Sequence, residues 1–363
     1  MQFLTLRSRS FRNLHHEGIA FSPTINLLIG DNGQGKTNIL EALYVLAGFR
    51  SFRLAKNRDV ILTGAPSAEL AGEVFVNHIE RTVNVAIQPG SKTYHVDGKT
   101  PALLSDWVGK MVVVTFSPDD LGLVKGEPET RRRWLDRIIF LIEPKHLTQV
   151  VAYHRALKAR NTLLRDGLFG RDLMLLDSFD ETLAKIGAEV SRARAQWVQS
   201  LSKIVQHSLH EITAIPHDLP LQYETDVEGK SWQEILDTLV KKRTEDIQRR
   251  STSWGVHRDD LKLVFSGREA RRYASQGEQR ALTLALKLGE TELLRQQRNV
   301  QPVLLLDDVA GELDGTRHAL LFHFLQQGGG QVFIAGTDIP KDVSMSSDGH
   351  IFAVKNGQIH RRN

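Results

Sequence analysis

The chain has 363 residues, 41% hydrophobic and 25% charged, with a formal net charge of +4, ordinary values for a folded protein long enough for two domains. It contains no cysteine, which excludes disulfides and cysteine-based zinc sites. No apolar run approaches the roughly 18 residues of a membrane span, and the opening Met1-Gln2-Phe3-Leu4-Thr5-Leu6-Arg7 lacks the charged-then-apolar order of a signal peptide. A cytoplasmic protein with no membrane partner is expected.

Phe3–Leu6 and Ile25–Ile29 are the first β-like runs. The second leads into Gly30-Asp31-Asn32-Gly33-Gln34-Gly35-Lys36-Thr37, which fits G-x-x-x-x-G-K-[ST], and Ile39, Leu40, Leu43 and Leu46 follow at helical spacing. The plain alternative is a glycine-rich turn with a surface lysine, but the strand–loop–helix context is the one in which the motif carries chemistry. Its glycines let successive N–H groups surround a phosphate, and the new helix adds its positive end. Lys36 then reaches the β- and γ-phosphates, and the Thr37 hydroxyl holds Mg²⁺. ATP and Mg²⁺ are the expected cofactors.

Further β-like runs at Glu73–Val76, Arg81–Ile87, Thr93–Val96 and Met111–Phe116 are punctuated by turns at Gln88-Pro89-Gly90-Ser91 and Asp97-Gly98. From about 125 the pattern turns helical, over 129–142, 144–165, 172–210 and 231–250. The longest stretch sustains no heptad repeat over four heptads, so a compact helical lobe is expected rather than a coiled coil. From about 260 strands return: "DDLKLVFSG", then Val303–Leu306, then 331–335, then a closing hairpin around Asn356-Gly357. An apolar helix over 276–296 intervenes. The fold class is α/β, with a nucleotide domain split between 1–124 and 256–363 and a mainly helical insert over 125–255.

Two further segments complete the chemistry. The apolar strand 303–306 ends in Asp307 and Asp308. In a phosphate-loop protein the first acid helps hold Mg²⁺ and the second orients and deprotonates the attacking water. Ser275-Gln276-Gly277-Glu278-Gln279 matches the S-x-G-x-Q signature of ABC-type ATPases. Ser275 with Glu278 is also a capping box that would start any helix, and the two roles are compatible because a helix N-terminus is an anion site. Lys36, Asp308, Ser275, Gly277 and Gln279 are therefore the catalytic candidates. The basic clusters offer Arg53, Arg131, Arg132 and Lys242 as contacts to DNA phosphates, each with a solvated surface as its alternative.

With these motifs in this order the chain resembles the RecF family nearly end to end. "FRNL" at 11–14, "RSFR" at 50–53, "FSPDDLGLVKGEPETRRRWLD" at 116–136, "YHRALKARNTLL" at 153–164 and "HRDDLKL" at 257–263 carry the likeness beyond the phosphate loop, and "VAGELD" with Asp314 stands where such proteins have their D-loop. The resemblance implies an ABC-type ATPase head (a P-loop NTPase) with a helical lobe in place of the coiled-coil arm of SMC proteins. It implies an ATP-dependent homodimer on duplex DNA and at gapped or single-stranded junctions, weak DNA-stimulated hydrolysis, and cooperation with RecR and RecO in loading RecA. Glu278 stands where the family often has Gln, and Gly255-Val256-His257 lacks a proline common before the histidine. The role of His257-Arg258-Asp259-Asp260 stays open, a salt-bridged turn being the simplest account. The competing functions are a transport-coupling ATPase subunit and an architectural SMC-like protein. Against the first, Gly336-Thr337-Asp338 lacks the transporter histidine, and more than 230 residues separate Thr37 from Ser275.

Overall fold

The computed structural model describes residues 1–102, 105–166, 172–213, 218–308, 315–338 and 348–362. They form two compact units, one of Met1–Asp120 with Glu290–Asn363 and the other of Leu121–Gly289.

The first unit holds two sheets. One runs, in order, Gln358–Arg362, His350–Lys355, Ile25–Ile29, Val332–Gly336, Val303–Asp307 and Val113–Phe116. All neighbours are parallel except the edge hairpin. Its inner strands are near-continuous apolar runs because both faces are covered. Register sets the site: Ile29 lies opposite Gly336, and Ala335 opposite Asp307, so the phosphate loop and the acidic pair leave the same edge one strand apart. That separation is about 10 Å.

The second sheet is antiparallel, in the order Leu14–Ala20, Thr5–Phe11, Ala68–Val76, Ile79–Ile87 and Lys92–Val96, with Gln2–Phe3 also paired to Ala68–Val76. Ala68–Val76 alternates buried and open positions, the mark of a sheet with one wet face. Its buried face meets the helix Lys36–Gly48, whose Ile39, Leu40, Leu43 and Leu46 are inaccessible to solvent. That helix also packs against the parallel sheet, so the residues that follow the phosphate loop sit between two layers.

In the second unit the helices Pro128–Ile142, Lys145–Asp166, Asp172–Thr213, Trp232–Lys241 and Arg243–Arg249 surround a core containing Tyr153, Leu157, Leu183, Ile235 and Trp254. Three buried arginines organise its polar interior. Arg160 donates to Asp180 at 2.6 Å, Asp246 at 2.7 Å and Thr252 at 2.8 Å. Arg194 grips Asp136 with two bonds of 2.9 Å and reaches Asp259 at 3.0 Å. Arg131 pairs with Asp260 through two bonds of 2.8 Å. His257 bridges the same region: the Thr252 carbonyl can only accept, so Nε2 donates to it and Nδ1 accepts from the Tyr153 hydroxyl. Burial lowers this imidazole to about 4, so it is neutral near pH 7. The segment His257–Asp260 is thus a salt-bridged turn, as the simplest account expects, with Asp259 buried against Arg194, Asp260 paired with Arg131 and Arg258 exposed. Arg160→Ala would leave the buried Asp246 without this cation and the buried Asp180 with Arg243 as its remaining one. It is expected to destabilise this unit by about 3–5 kcal/mol, read from urea unfolding against the parent protein.

The sequence places the return to the first domain at 256, whereas the second unit runs on to Gly289. The reason is pairing. Asp260–Phe265 hydrogen-bonds to Leu221–Glu224 on one side and Arg268–Glu269 on the other, forming the second unit's own sheet.

Candidate nucleotide site

The loop 30–37 is shaped by its own glycines and by two distant segments. Gly35, the residue before the helix, has φ +111°, a conformation side chains rarely adopt. Gln34 is held from the other side by the closing hairpin: Asn356 N–H donates to its Oε1 at 2.7 Å and Gly357 N–H to its carbonyl at 2.8 Å. Gly357 has φ +78°, and a Cβ there would fall 1.9 Å from the Asn13 carbonyl. Asn13 in turn donates to the Gln34 carbonyl at 3.3 Å and accepts from Asn38 at 2.8 Å. These contacts within the chain fix the curl of the loop.

Lys36 is 8% exposed, and its ammonium folds over the loop to donate to the carbonyls of Gly30 at 2.6 Å and Asp31 at 2.8 Å. Asp31, Asn32 and Gly33 lie open to solvent at the rim. Thr37 donates through Oγ1 to Asp307 Oδ1 at 2.8 Å, a contact spanning 270 positions of sequence. Burial pushes the Asp307 carboxyl above its ordinary range, opposed by the Thr37 hydrogen bond; repulsion from Asp308 adds to the rise, while Arg53 and Lys36 lower it. The Thr37 hydroxyl and the partly buried Asp307 carboxylate are two adjacent hard oxygen donors, a chemical fit for Mg²⁺. Asp308 is exposed with φ +50°, and its N–H donates to the Ala335 carbonyl at 3.1 Å.

Ser275 and Glu278 form the capping box, with the Ser275 N–H donating to the Glu278 carboxylate at 2.6 Å and the Glu278 N–H to Ser275 Oγ at 3.3 Å. Ser275 and Gly277 are exposed at the start of the helix Gln276–Arg298. Gln279 is buried, donating to the Ala274 carbonyl at 2.6 Å. Asp314 lies outside the described residues.

The DNA candidates fare differently. Arg131 is buried, with Asp260 and the carbonyls of Leu123 and Gly126 as its acceptors, so it is a structural ion pair and not a phosphate contact. Arg132 is half-buried and bonds the Asp259 carbonyl. Lys242 pairs with Glu245 at 3.2 Å. Arg53 belongs to the nucleotide side: it lies 3.9 Å from the fully buried Glu41 and within the electrostatic field of Asp307. Arg12 holds the same Glu41 with bonds of 2.9 and 3.0 Å. Sequence reasoning missed this glutamate because it sits in an apolar helix, "NILEAL", with nothing local to mark it.

Comparison with known proteins agrees with this geometry. The profile of the RecF/RecN/SMC N terminal domain family matches residues 3–358. "DNA replication and repair protein RecF" of Myxococcus xanthus (strain DK1622) is 38% identical over 347 residues, covering 93% of this chain and 91% of that protein. The protein of that name from Geobacter sp. (strain M21) is 35% identical, covering 99% and 100%. Among solved structures, that of "the recombination mediator protein RecF-ATP in RecFOR pathway" superposes with a TM-score of 0.90 at 30% identity, covering 99% of each chain. An Smc head bound to the C-winged helix domain of ScpA shares the fold, with a TM-score of 0.56 at 14% identity. No helix among the described residues is long and apolar enough to cross a membrane.

Proposed function

Because the chain belongs to the RecF family of RecF/RecN/SMC proteins, we propose that it is a DNA replication and repair ATPase whose ATP-bound dimer closes on DNA at single-strand gaps and, with RecO and RecR, helps to load RecA. The ABC-type head binds and hydrolyses ATP. One contact supports this above all others: Thr37 meets Asp307 at 2.8 Å beside the Lys36 loop, so the residues for phosphate and cation are already together.

In this mechanism Lys36 exchanges the Gly30 and Asp31 carbonyls for the β- and γ-phosphates, and the loop N–H groups take the remaining oxygens. Thr37 and Asp307 would hold Mg²⁺, which supplies charge neutralisation on the phosphates. Asp308 takes a proton from the attacking water as its oxygen bonds the γ-phosphorus and the bond to ADP breaks. The Ser275 segment of a second copy faces the γ-phosphate, so loss of that phosphate opens the dimer and ends residence on DNA.

Asp308→Asn keeps the shape of the strand end and removes the base. Hydrolysis is expected to fall by about 10²- to 10⁴-fold with ATP affinity retained, and the ATP-bound dimer should accumulate on gapped DNA. Single-turnover hydrolysis with and without duplex DNA tests both points. Unchanged turnover, or no stimulation of the parent protein by DNA, would remove the assignment.

A further inference from the structure

In the second unit the long helix Asp172–Thr213 and the segment 221–230 enclose an open groove of about 790 Å³. Its charged lining is Arg192, Lys203 and Lys230 against one carboxylate, Glu228, with Gln196 and Gln199 between the cations. From Val190 to His210 the helix contains no acidic residue at all. Among the described residues Arg192 and Lys203 have no ion-paired carboxylate, in a unit where Arg131, Arg160, Arg194 and Arg243 are each ion-paired. Lys230 bonds the carbonyl of Asp226, lies 5.7 Å over the Trp254 ring and acts electrostatically on Glu234. Three cations facing one carboxylate along a groove raise the local positive potential and draw an anionic partner to it.

From this we propose that the groove receives the phosphate backbone of duplex DNA, a contact that rests on the DNA-binding function proposed above and gives it a location in the helical lobe. Lys, Arg, Gln and Ser are the side chains that bond phosphodiesters without reading bases. Lys203 lies eleven positions after Arg192, about 16 Å along the helix, which matches roughly four to five base steps of one strand. Small side chains at Ala188, Ala195 and Ser202 leave the floor open to a ridge of sugar and phosphate. Single-stranded DNA fits less well, because it is held by stacking on free aromatic rings. The one aromatic ring in the lining, Tyr223, has its hydroxyl bonded to Asp259.

The test is fluorescence anisotropy of the full chain with ATP, on a 30-base-pair duplex and on the matching single strand, across a salt series. Arg192→Gln with Lys203→Gln should weaken duplex binding by about 10- to 60-fold near 0.1 M salt and reduce the slope of log K against log salt by about 2. Glu228→Gln should tighten it, by roughly threefold, a gain that misfolding cannot mimic. ATP binding and DNA-free hydrolysis should not change in either variant. Parent-like duplex affinity and slope in the double variant would overturn the groove while leaving the DNA function standing. Loss confined to the single strand would overturn the duplex assignment. A parent protein that binds neither DNA would overturn the groove together with the function beneath it.

Discussion

Lys36→Ala is expected to abolish ATP binding at concentrations that saturate the parent protein. The ammonium is nearly buried and already satisfied by two carbonyls of its own loop at 2.6 and 2.8 Å. Its removal does two things at once. The triphosphate loses the cation at its most charged end, and the Gly30 and Asp31 carbonyls lose the donor that holds them inward. Truncating one member of an enclosed charge pair costs about 2–5 kcal/mol, which corresponds to a loss of roughly 30- to several thousand-fold in affinity. Calorimetric titration with ATP would measure it, with thermal melting to show that the variant is folded. Retention of parent affinity in a folded variant would remove the loop from the mechanism.

The second large effect is expected at Ser275. One chain carries one phosphate loop and one signature segment, and in an ABC-type dimer each chain's signature completes the other's site. ATP brings about four negative charges, which repel across an empty seam and bridge one lined by N–H donors. Nucleotide binding and dimerisation are then coupled by one factor in both directions. Ser275→Arg places a long cation where an exposed hydroxyl now caps Glu278. ATP binding to the monomer should survive, while ATP-induced dimerisation and hydrolysis fall to background. Ser275→Ala separates sterics from capping, since it costs only the cap, about 1 kcal/mol, and should still dimerise. Sedimentation velocity with and without ATP decides between them. A Ser275→Arg variant that dimerises normally would make this segment a capped core helix and nothing more.

Much of the nucleotide site was legible because its signals are local. The strand Ile25–Ile29 and the hairpin turn at Asn356-Gly357 lie where periodicity and turn chemistry put them. Ser275 caps its helix as a four-residue pattern dictates. What stayed hidden is long-range. Nothing in "FRNL" says that Arg12 seeks Glu41, and nothing in Asn356-Gly357 says that its N–H groups hold Gln34. Leu14–Ala20 escaped as a strand because two histidines, a glutamate and a glycine interrupt its apolar alternation. Arg131 looked like a surface charge because a basic triplet reads the same whether its first member faces water or Asp260.

The order of strands in the parallel sheet also constrains the birth of the molecule. Ile25–Ile29 is hydrogen-bonded on one side to Val332–Gly336 and on the other to His350–Lys355. A ribosome adding about 5–20 residues per second delivers the first of these neighbours roughly 15–60 s after the strand itself has been made. Throughout that interval the strand that carries the phosphate loop lacks both of its partners, and the hairpin that steadies Gln34 follows later still. A chain cut before Val332 is therefore expected to bind nucleotide poorly, because the strand that carries the phosphate loop would lack both of its neighbours.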